Sequence, residues 1–233
     1  NQTNISALHS LTLNPKNNKI SNKENDLTSQ GTCGTNLNYN LELYTLIING
    51  TGEMTNYSNI NNSPWFANKS QIEVINIHEG VTSIGSYAFA NHENLYYISI
   101  SDSVTSIGDY AFCNCTKLNS IIIPTNLVYI GDFCFYCCYQ INLIKLPESL
   151  KLIGNSAFYY CSHVQTIKIP NKITYINDYT FYGCYSLISI EIPENVTVIG
   201  DYAFFGCNGL PTIKIPSNLE SIGNYSFYKC MKL

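Results

Sequence analysis

Charged side chains are scarce in this sequence of 233 residues, where Asp, Glu, Lys and Arg together make up only 12%, about half of the usual share. The net charge is −4, and no stretch concentrates Lys or Arg. A nucleic-acid groove or a lipid-headgroup patch needs concentrated positive charge, so both partners are excluded. No apolar run approaches the roughly 18 to 20 residues of a membrane helix, which excludes membrane insertion within this segment.

Hydrophobic residues, in contrast, make up 45% of the chain, and 19 residues are Tyr. This content is ample for a packed core, while the surface must be polar without being ionic, which is unusual for a cytosolic enzyme. The N-terminus has neither an initiator Met nor a signal peptide, so we expect a trimmed chain. Sequons of the type Asn-x-Ser/Thr favour an extracellular location, and the glycosylation candidates are Asn49, Asn56, Asn61, Asn68, Asn195 and Asn224, with further sequons at Asn1, Asn4 and Asn114.

An internal repeat of constant length dominates the chain from about residue 64 onward. The pair Ile-Gly recurs every 23 residues without insertion, with Asn177 in place of one Gly, and a Phe follows each pair at the same interval. Such a period is the signature of a solenoid, in which neighbouring units stack and bury a continuous core. The Phe residues at this spacing are Phe89, Phe112, Phe135, Phe158, Phe181, Phe204 and Phe227.

Each unit divides into a predicted strand and a predicted turn. The segment Leu118-x-x-Ile121-x-Ile123-Pro124 alternates apolar residues as a strand with one buried face does, and Pro ends it. Units of equal length allow these strands to stack in register about 4.8 Å apart. The stretch from Ile107 to Phe112 is too short for an independent helix, so we expect a turn or a single helical turn whose Phe fills the interior.

Asn177 occupies the position where the other complete units carry Gly after Ile. Asn is among the residues other than Gly that best tolerate a positive φ. We therefore predict a left-handed backbone at this position in every unit, including Asn177.

The unit Leu-x-x-Ile-x-Ile-Pro-x-x-Val-x-x-Ile-Gly-x-x-Ala-Phe-x-x-Cys resembles the BspA-like (Treponema-type) leucine-rich repeat family. The lead-in is similar to the N-terminal segment of that family in the stretches GTCG at 31–34, LIINGTGEM at 46–54 and Pro64-Trp65. Departures are few: Ser101 replaces Pro, His92 replaces Cys, and Ala is replaced by Cys134, Thr180 and Ser226. None of them threatens the fold.

The resemblance implies an α/β repeat that is rich in β-structure: a right-handed leucine-rich-repeat solenoid with short parallel strands on one face and turns or short helical turns on the other. We expect a loose extension over 1–30, an N-terminal capping region over 31–71, and about seven units over 72–233. The sequence stops at Leu233, one residue into the next predicted strand, so we expect a C-terminal cap to be missing. Family members are surface or secreted proteins implicated in adhesion, and the family shares no catalytic residues.

Six of the ten cysteines occupy one position of the repeat, at Cys115, Cys138, Cys161, Cys184, Cys207 and Cys230. The period spreads them along a line, with Cβ atoms about 4.8 Å apart, which is longer than the roughly 3.5 to 4.5 Å of a disulfide. We interpret them as buried structural thiols. Cys113 and Cys137 lie at adjacent positions of neighbouring units and are candidates for a cross-unit disulfide. Cys134-x-x-Cys137-Cys138 has zinc-like spacing, but the repeat imposes that spacing and further ligands are lacking.

No catalytic constellation emerges, and the sequence indicates no cofactor and no metal. The four His residues are scattered, with no nucleophile and carboxylate repeating near them. A pair of carboxylates for glycoside hydrolysis would have to come from different units, with nothing marking them.

Two surfaces are candidate binding sites for extracellular protein or glycan ligands. Alternation of the strand predicts an outward face formed by Tyr97, Ser99, Ser120, Ile122, Leu143, Lys145, Thr166, Lys168, Ser189, Glu191, Thr212 and Lys214; an ordinary solvated sheet face is the alternative. The second surface is an aromatic column, and stacking into an outer wall is the alternative for its residues Tyr136, Tyr159, Tyr182, Phe205 and Tyr228.

The sequence therefore predicts a non-enzymatic adhesion or protein-interaction module at the cell surface or secreted, which binds matrix proteins or other cells through an extended repeat face. A structural spacer and an intracellular scaffold are the alternatives. Many modest contacts along one face would supply the affinity.

Overall fold

The computed structural model describes residues 28–233, so most of the predicted extension over 1–30 lies outside the described residues. The first three strands form antiparallel hairpins: β1 (Thr28–Gly34), β2 (Leu37–Glu42) and β3 (Thr45–Gly50). Strand β1 begins three residues before the predicted start of the cap. A 3₁₀ helix at Phe66–Asn68 follows and is the only helix within residues 28–233.

The hairpins continue directly into the sheet of the repeats, because β3 pairs in parallel with the first repeat strand. The resulting six-stranded sheet consists of β1, β2 and β3 followed by the first three repeat strands. A separate two-stranded sheet extends the same face in later units, and Leu143 contributes an isolated bridge between the two. The strands of this first ladder are β5 (Val74–Ile77), β7 (Tyr97–Ile100), β9 (Ser120–Ile121), β12 (Thr166–Lys168) and β14 (Ser189–Glu191).

A second ladder of parallel strands runs along the other half of the units, where the sequence indicated only turns. Its strands span two residues in most units, which is too short for an alternating pattern to appear in the sequence. They form one five-stranded and one three-stranded sheet. The members are β4 (Gly52–Glu53), β6 (Val81–Ile84), β8 (Ser106–Ile107), β10 (Tyr129–Ile130), β11 (Leu152–Ile153), β13 (Tyr175–Ile176), β15 (Val198–Ile199) and β16 (Ser221–Ile222).

In the turn that follows each second-ladder strand, backbone N–H groups alternate between partners in the next unit and partners within the same turn. The N–H groups of Tyr110 and Phe112 donate to carbonyls of the next unit at 2.8 and 2.9 Å, whereas those of Cys113 and Cys115 donate within their own turn, both at 3.1 Å. Every second residue therefore continues the bonding between units. The turns need no helix to satisfy their backbone.

Left-handed residues occur at two positions of this turn, and neither is the predicted one. The first column is Tyr87, Tyr110, Phe133, Ser156, Tyr179, Tyr202 and Tyr225, with φ between 54° and 58°. The second column is Asn91, Asn114, Cys137, Tyr160, Gly183, Gly206 and Lys229, with φ between 55° and 72°.

The prediction of a left-handed backbone at Asn177 and its column is thus wrong, since no member of that column has a positive φ. Gly occurs in this column because there is little room for a side chain. A Cβ on Gly154 would lie 2.5 Å from the backbone N of Asp132 in the preceding unit. Asn177 is the exception, and its side-chain amide donates to the Ile153 carbonyl at 2.6 Å.

The core is a single stack of apolar side chains with an aromatic ladder through it. Trp65 of the cap lies on Phe89 with ring centroids 5.3 Å apart. The Phe rings of successive units then continue the stack at 5.4 to 5.6 Å. The Trp65 indole N–H donates to the Ala88 carbonyl at 2.8 Å, so the cap is joined to the first full unit by both stacking and a hydrogen bond.

Side chains reinforce the stacking along the edge of the turns. Asp132 Oδ1 accepts from the N–H of Asn155 at 2.7 Å, and Asp109 Oδ1 accepts from the N–H of Asp132 at 2.8 Å. The same bond joins Asp178 to Asp201 at 2.7 Å. These bonds satisfy N–H groups that the turn leaves without a backbone partner.

Truncation of a central core ring should be strongly destabilising. We expect Phe158→Ala to lower the free energy of unfolding by about 3–5 kcal/mol, because it removes a fully buried ring from the stack. Urea denaturation followed by circular dichroism measures the change. Phe227→Ala is the matched control in the last unit, where the ring is only partly buried, and its effect should be smaller. Equal effects of both would contradict a continuous core ladder.

His92 makes the stability of the first unit sensitive to pH. Burial lowers the pKa of its imidazole from 6.5 to about 4, despite the hydrogen bond to the Ala90 carbonyl, and Lys69 lowers it further. As the pH falls from 6.5 to 4, the His92 imidazole therefore binds a proton in the unfolded chain but not in the folded chain. Stability falls by up to about 3 kcal/mol across this window and is unaffected by His92 above it.

The variant His92→Cys restores the residue that the other units carry and should lose this pH dependence. Denaturation of both proteins at several pH values between 4 and 7.5 gives the difference directly, because the carboxylates contribute equally to both. If the free energy of unfolding changed with pH equally in the variant and the parent, the assignment of the effect to His92 would be wrong.

Candidate binding surface

The outward residues of the first ladder, and of the same positions in units without a strand there, form the surface called the strand face below: Tyr97, Ser99, Ile122, Leu143, Lys145, Thr166, Lys168, Ser189, Glu191, Thr212 and Lys214. All are exposed except Tyr97, which is half-buried. Their neighbours along each strand, such as Ile121 and Ile123, point into the core. Strand alternation therefore predicted which side chains face outward, while binding by them stays a prediction.

Ile122 and Leu143 form the apolar part of the strand face. They are 65% and 62% exposed, although β-branched and aliphatic side chains of this size normally gain free energy from burial. They lie in neighbouring units and in different columns of the 23-residue register, so they are diagonal neighbours on this surface. A large exposed apolar area rimmed by polar residues is typical of an interaction site.

The positive charge of the strand face is weaker than the sequence suggested. Lys168 lies 3.9 Å from Glu148 and is in register with Glu191, and Lys214 lies 2.9 Å from Glu194. Hydrogen bonds from Lys214 and Ser217 lower the pKa of Glu194 to about 2, so this carboxylate stays charged. Among the described residues, Lys145 has no ion-pair partner and is the free cation of the face.

The aromatic column stacks along the solenoid, as one of its two interpretations predicted. Tyr136 lies 4.7 Å from Tyr159, and Tyr182 lies 4.5 Å from both Tyr159 and Phe205, with rings within 10° of parallel. Tyr228 is tilted by 34° at the end. The rings cover one another, so their faces are largely occupied and their edges face outward.

A second aromatic stack runs beside the first. It was not predicted from the sequence. Its members are the left-handed aromatic residues: Tyr87, Tyr110 and Phe133 stack at 4.7 Å, and Tyr179, Tyr202 and Tyr225 stack at 4.9 and 5.1 Å. Ser156 interrupts it. The 23-residue spacing of these aromatics is visible in the sequence and could have revealed the stack.

The column of cysteines donates hydrogen bonds into the core. Cys115 Sγ lies 3.2 Å from the Phe89 carbonyl oxygen, and each later Cys repeats the bond to the Phe of the preceding unit at 3.1 to 3.4 Å. Burial raises the pKa of the Cys184 thiol to about 12, so it remains protonated and unreactive. These contacts support the structural interpretation, because each thiol fills space and satisfies a carbonyl.

Cys113 and Cys137 are free thiols in the structure and are buried. Burial raises the pKa of Cys113 to about 12, and the nearby Cys137 raises it further. The cross-unit disulfide between them stays a prediction. No group of His, Cys, Asp and Glu within residues 28–233 has the arrangement of a metal site.

The sequons differ in accessibility. Asn49, Asn56, Asn61, Asn195 and Asn224 are exposed, and Asn68 is half-buried. Residues 28–233 contain no helix with the length and apolar character needed to span a membrane.

Stacked units of equal length, two parallel strand ladders and an internal Phe stack define a leucine-rich-repeat solenoid. The profile of the BspA type leucine rich repeat region matches residues 58–188 and 174–233, which is more than half of the chain. The chain therefore belongs to the BspA type leucine rich repeat family. No curated protein matches.

Solved structures of bacterial leucine-rich-repeat proteins have the same fold. A leucine rich cell surface protein from Faecalibacterium prausnitzii A2-165 is 29% identical with a TM-score of 0.67, over 88% of this chain and 53% of that one. This chain thus spans about half of that protein. A leucine-rich repeat protein from Bacteroides ovatus ATCC 8483 is 25% identical (TM-score 0.55; 86% and 69% covered). The T. pallidum leucine rich repeat protein is 23% identical (TM-score 0.62; 82% and 91% covered).

The buried thiols should resist alkylation in the folded protein. We expect iodoacetamide at pH 8 to leave Cys138, Cys161 and Cys184 unmodified, because burial both covers the sulfur and raises the thiol pKa. Peptide mass spectrometry before and after unfolding in urea makes the comparison. Rapid labelling of these cysteines in the folded protein would contradict their place in the core.

Proposed function

We propose that the chain is a non-enzymatic adhesion module, displayed at the cell surface or secreted, that binds matrix proteins or other cells through the strand face. The single observation that carries the proposal is the exposed pair Ile122 and Leu143 at the centre of an extended sheet surface. Membership of a repeat family and similarity to a protein described as a leucine rich cell surface protein support it.

The strand face suits a protein partner because it joins several kinds of contact in one surface. Ile122 and Leu143 offer apolar area, and Lys145 offers an unpaired positive charge in the unit of Leu143. Thr166 and Ser189 add hydroxyl groups in the following units. Interfaces draw their affinity from a buried apolar centre with a polar rim, and this surface supplies both.

A structural spacer and an intracellular scaffold remain the alternative functions. A spacer needs no exposed apolar pair, which disfavours it, since such residues add a risk of aggregation without a benefit. Glycans at the exposed sequons of the native protein would exclude the intracellular scaffold.

The test replaces the apolar pair by residues that the same positions carry in other units. Ser99 stands in the column of Ile122, and Ser120 and Ser189 stand in that of Leu143, so the variant Ile122→Ser/Leu143→Ser keeps the fold. We expect its affinity for an immobilised matrix protein or for host cells to fall at least tenfold, which is about 1.4 kcal/mol. Surface plasmon resonance against fibronectin, laminin and collagen, with a cell-binding assay, measures it.

Leu152→Ser is the matched control, because Leu152 is 44% exposed on the second ladder, where Ser106 and Ser221 occupy the same column. This variant should bind as the parent does. Charge reversal at Lys145 and Lys168 should weaken binding as well. Unchanged binding by the strand-face variants would contradict this surface, and binding to no matrix protein or cell would favour the spacer.

A further inference from the structure

One corner of the turn side opens into a cleft because two glycines replace bulky residues. The second left-handed column carries a long side chain in Tyr160 and in Lys229, whereas Gly183 and Gly206 lie between them. Tyr160 leans over Gly183, where a Cβ would lie 2.3 Å from its ring. Next to Gly206 the surface stays recessed, because a Cβ on this residue would have only Tyr185 within 4 Å.

The cleft has a volume of about 490 Å³, within the range of roughly 300–1,000 Å³ that is typical of sites for small ligands. Gly206 is one of its lining residues. The walls are formed by Tyr160, Tyr182, Tyr185, Phe205, Asn208 and Lys229. No Asp or Glu of the described residues lines it, although the chain as a whole is acidic.

Stacked aromatic rings offer their edges where both faces are covered, as at Tyr182 between Tyr159 and Phe205. Tyr182 and Phe205 stack face to face at 4.5 Å with an angle of 1°, so each covers a face of the other. Tyr160 stands at 90° to Tyr182, with centroids 5.5 Å apart. The edge of an aromatic ring carries partial positive charge. These edges therefore favour a ligand group with negative charge.

Donors surround the same space. The Lys229 ammonium lies over the rings of Phe205 and Tyr228, 5.5 and 5.9 Å from their centres, and takes part in neither of the two ion pairs among the described residues. Burial, together with the neighbouring Tyr160, raises the pKa of Tyr185 to about 12, so its hydroxyl keeps its proton at neutral pH. Asn208 adds a side-chain amide. A cation, a phenol and an amide thus converge without a carboxylate from residues 28–233 to pair with them.

We propose that this cleft binds an acidic sugar of a polysaccharide, a pyranose ring that carries a carboxylate. Lys229 pairs with the carboxylate, and Asn208 and the phenols bind the sugar hydroxyls. A proline-rich peptide also suits aromatic grooves, but it brings neither the anion nor the hydroxyls that these groups would satisfy. The site is separate from the strand face and does not depend on the proposed function.

The test compares two oligosaccharides of equal length by isothermal titration calorimetry on the whole chain. A hyaluronan hexasaccharide carries uronic acids, whereas chitohexaose is neutral. We expect the hyaluronan fragment to bind at least fivefold more tightly, and to lose affinity as salt rises. Lys229→Gln should weaken its binding at least fivefold. Gly206→Tyr should abolish it by filling the cleft, and Tyr160 shows that this column accepts Tyr with φ of 55°.

Lys172→Gln is the control, since it removes an exposed cation that lies outside both the cleft and the strand face and takes part in neither ion pair, and it should leave hyaluronan binding unchanged. Thermal unfolding of every variant confirms that it is folded. Equal affinity for the two oligosaccharides would overturn the proposal, and so would binding only to sulfated heparin fragments or only to a proline-rich peptide. Hyaluronan binding that survives both Lys229→Gln and Gly206→Tyr would place the site elsewhere and overturn it too. Binding of matrix proteins through Ile122 and Leu143 is an independent measurement.

Discussion

Backbone hydrogen bonds between successive units are the interaction on which the rest of this structure depends. Units bond to their neighbours through two strand ladders, which are interrupted between β9 and β12 and between β11 and β13, and through every second N–H of the turn, as at Tyr110 and Phe112. These bonds require that paired segments keep one register, which units of equal length maintain without a bulge. The constant interval of 23 residues satisfies this requirement. It also places identical residues above one another, so that Phe stacks on Phe.

Stacking in this manner explains composition as well as architecture. Side chains that form good ladders with copies of themselves are favoured at each position, which accounts for the Phe, Tyr and Cys columns. The cysteines are an example of local chemistry within this frame, because each thiol bonds to the carbonyl of a Phe in the preceding unit. Where the repeat deviates, as at His92, the substitute is buried with an unpaired ring nitrogen, and it introduces a pH dependence that the regular residue lacks.

Much of the fold could be predicted from the sequence, because period and alternation report directly on stacking and burial. The Phe stack, the direction of Ile121 against Ile122 and the structural role of Cys161 are all consequences of register. The second ladder escaped prediction because its strands are too short to alternate. The left-handed positions were misassigned because residue preferences point to Gly and Asn, whereas bonding between units holds Tyr and Phe at φ near 55°. The cleft at Gly206 could not be predicted, because it depends on which side chains surround this residue in space.

We propose that the strand face carries the function of this molecule. Hydrogen exchange of the chain alone and saturated with a matrix protein found to bind it by surface plasmon resonance tests this claim most directly. We expect slower exchange in segments 120–123 and 143–146, with no change in the second-ladder segments 129–130 and 152–153. Protection confined to the second ladder or to the cap, with the strand face unchanged, would contradict the claim.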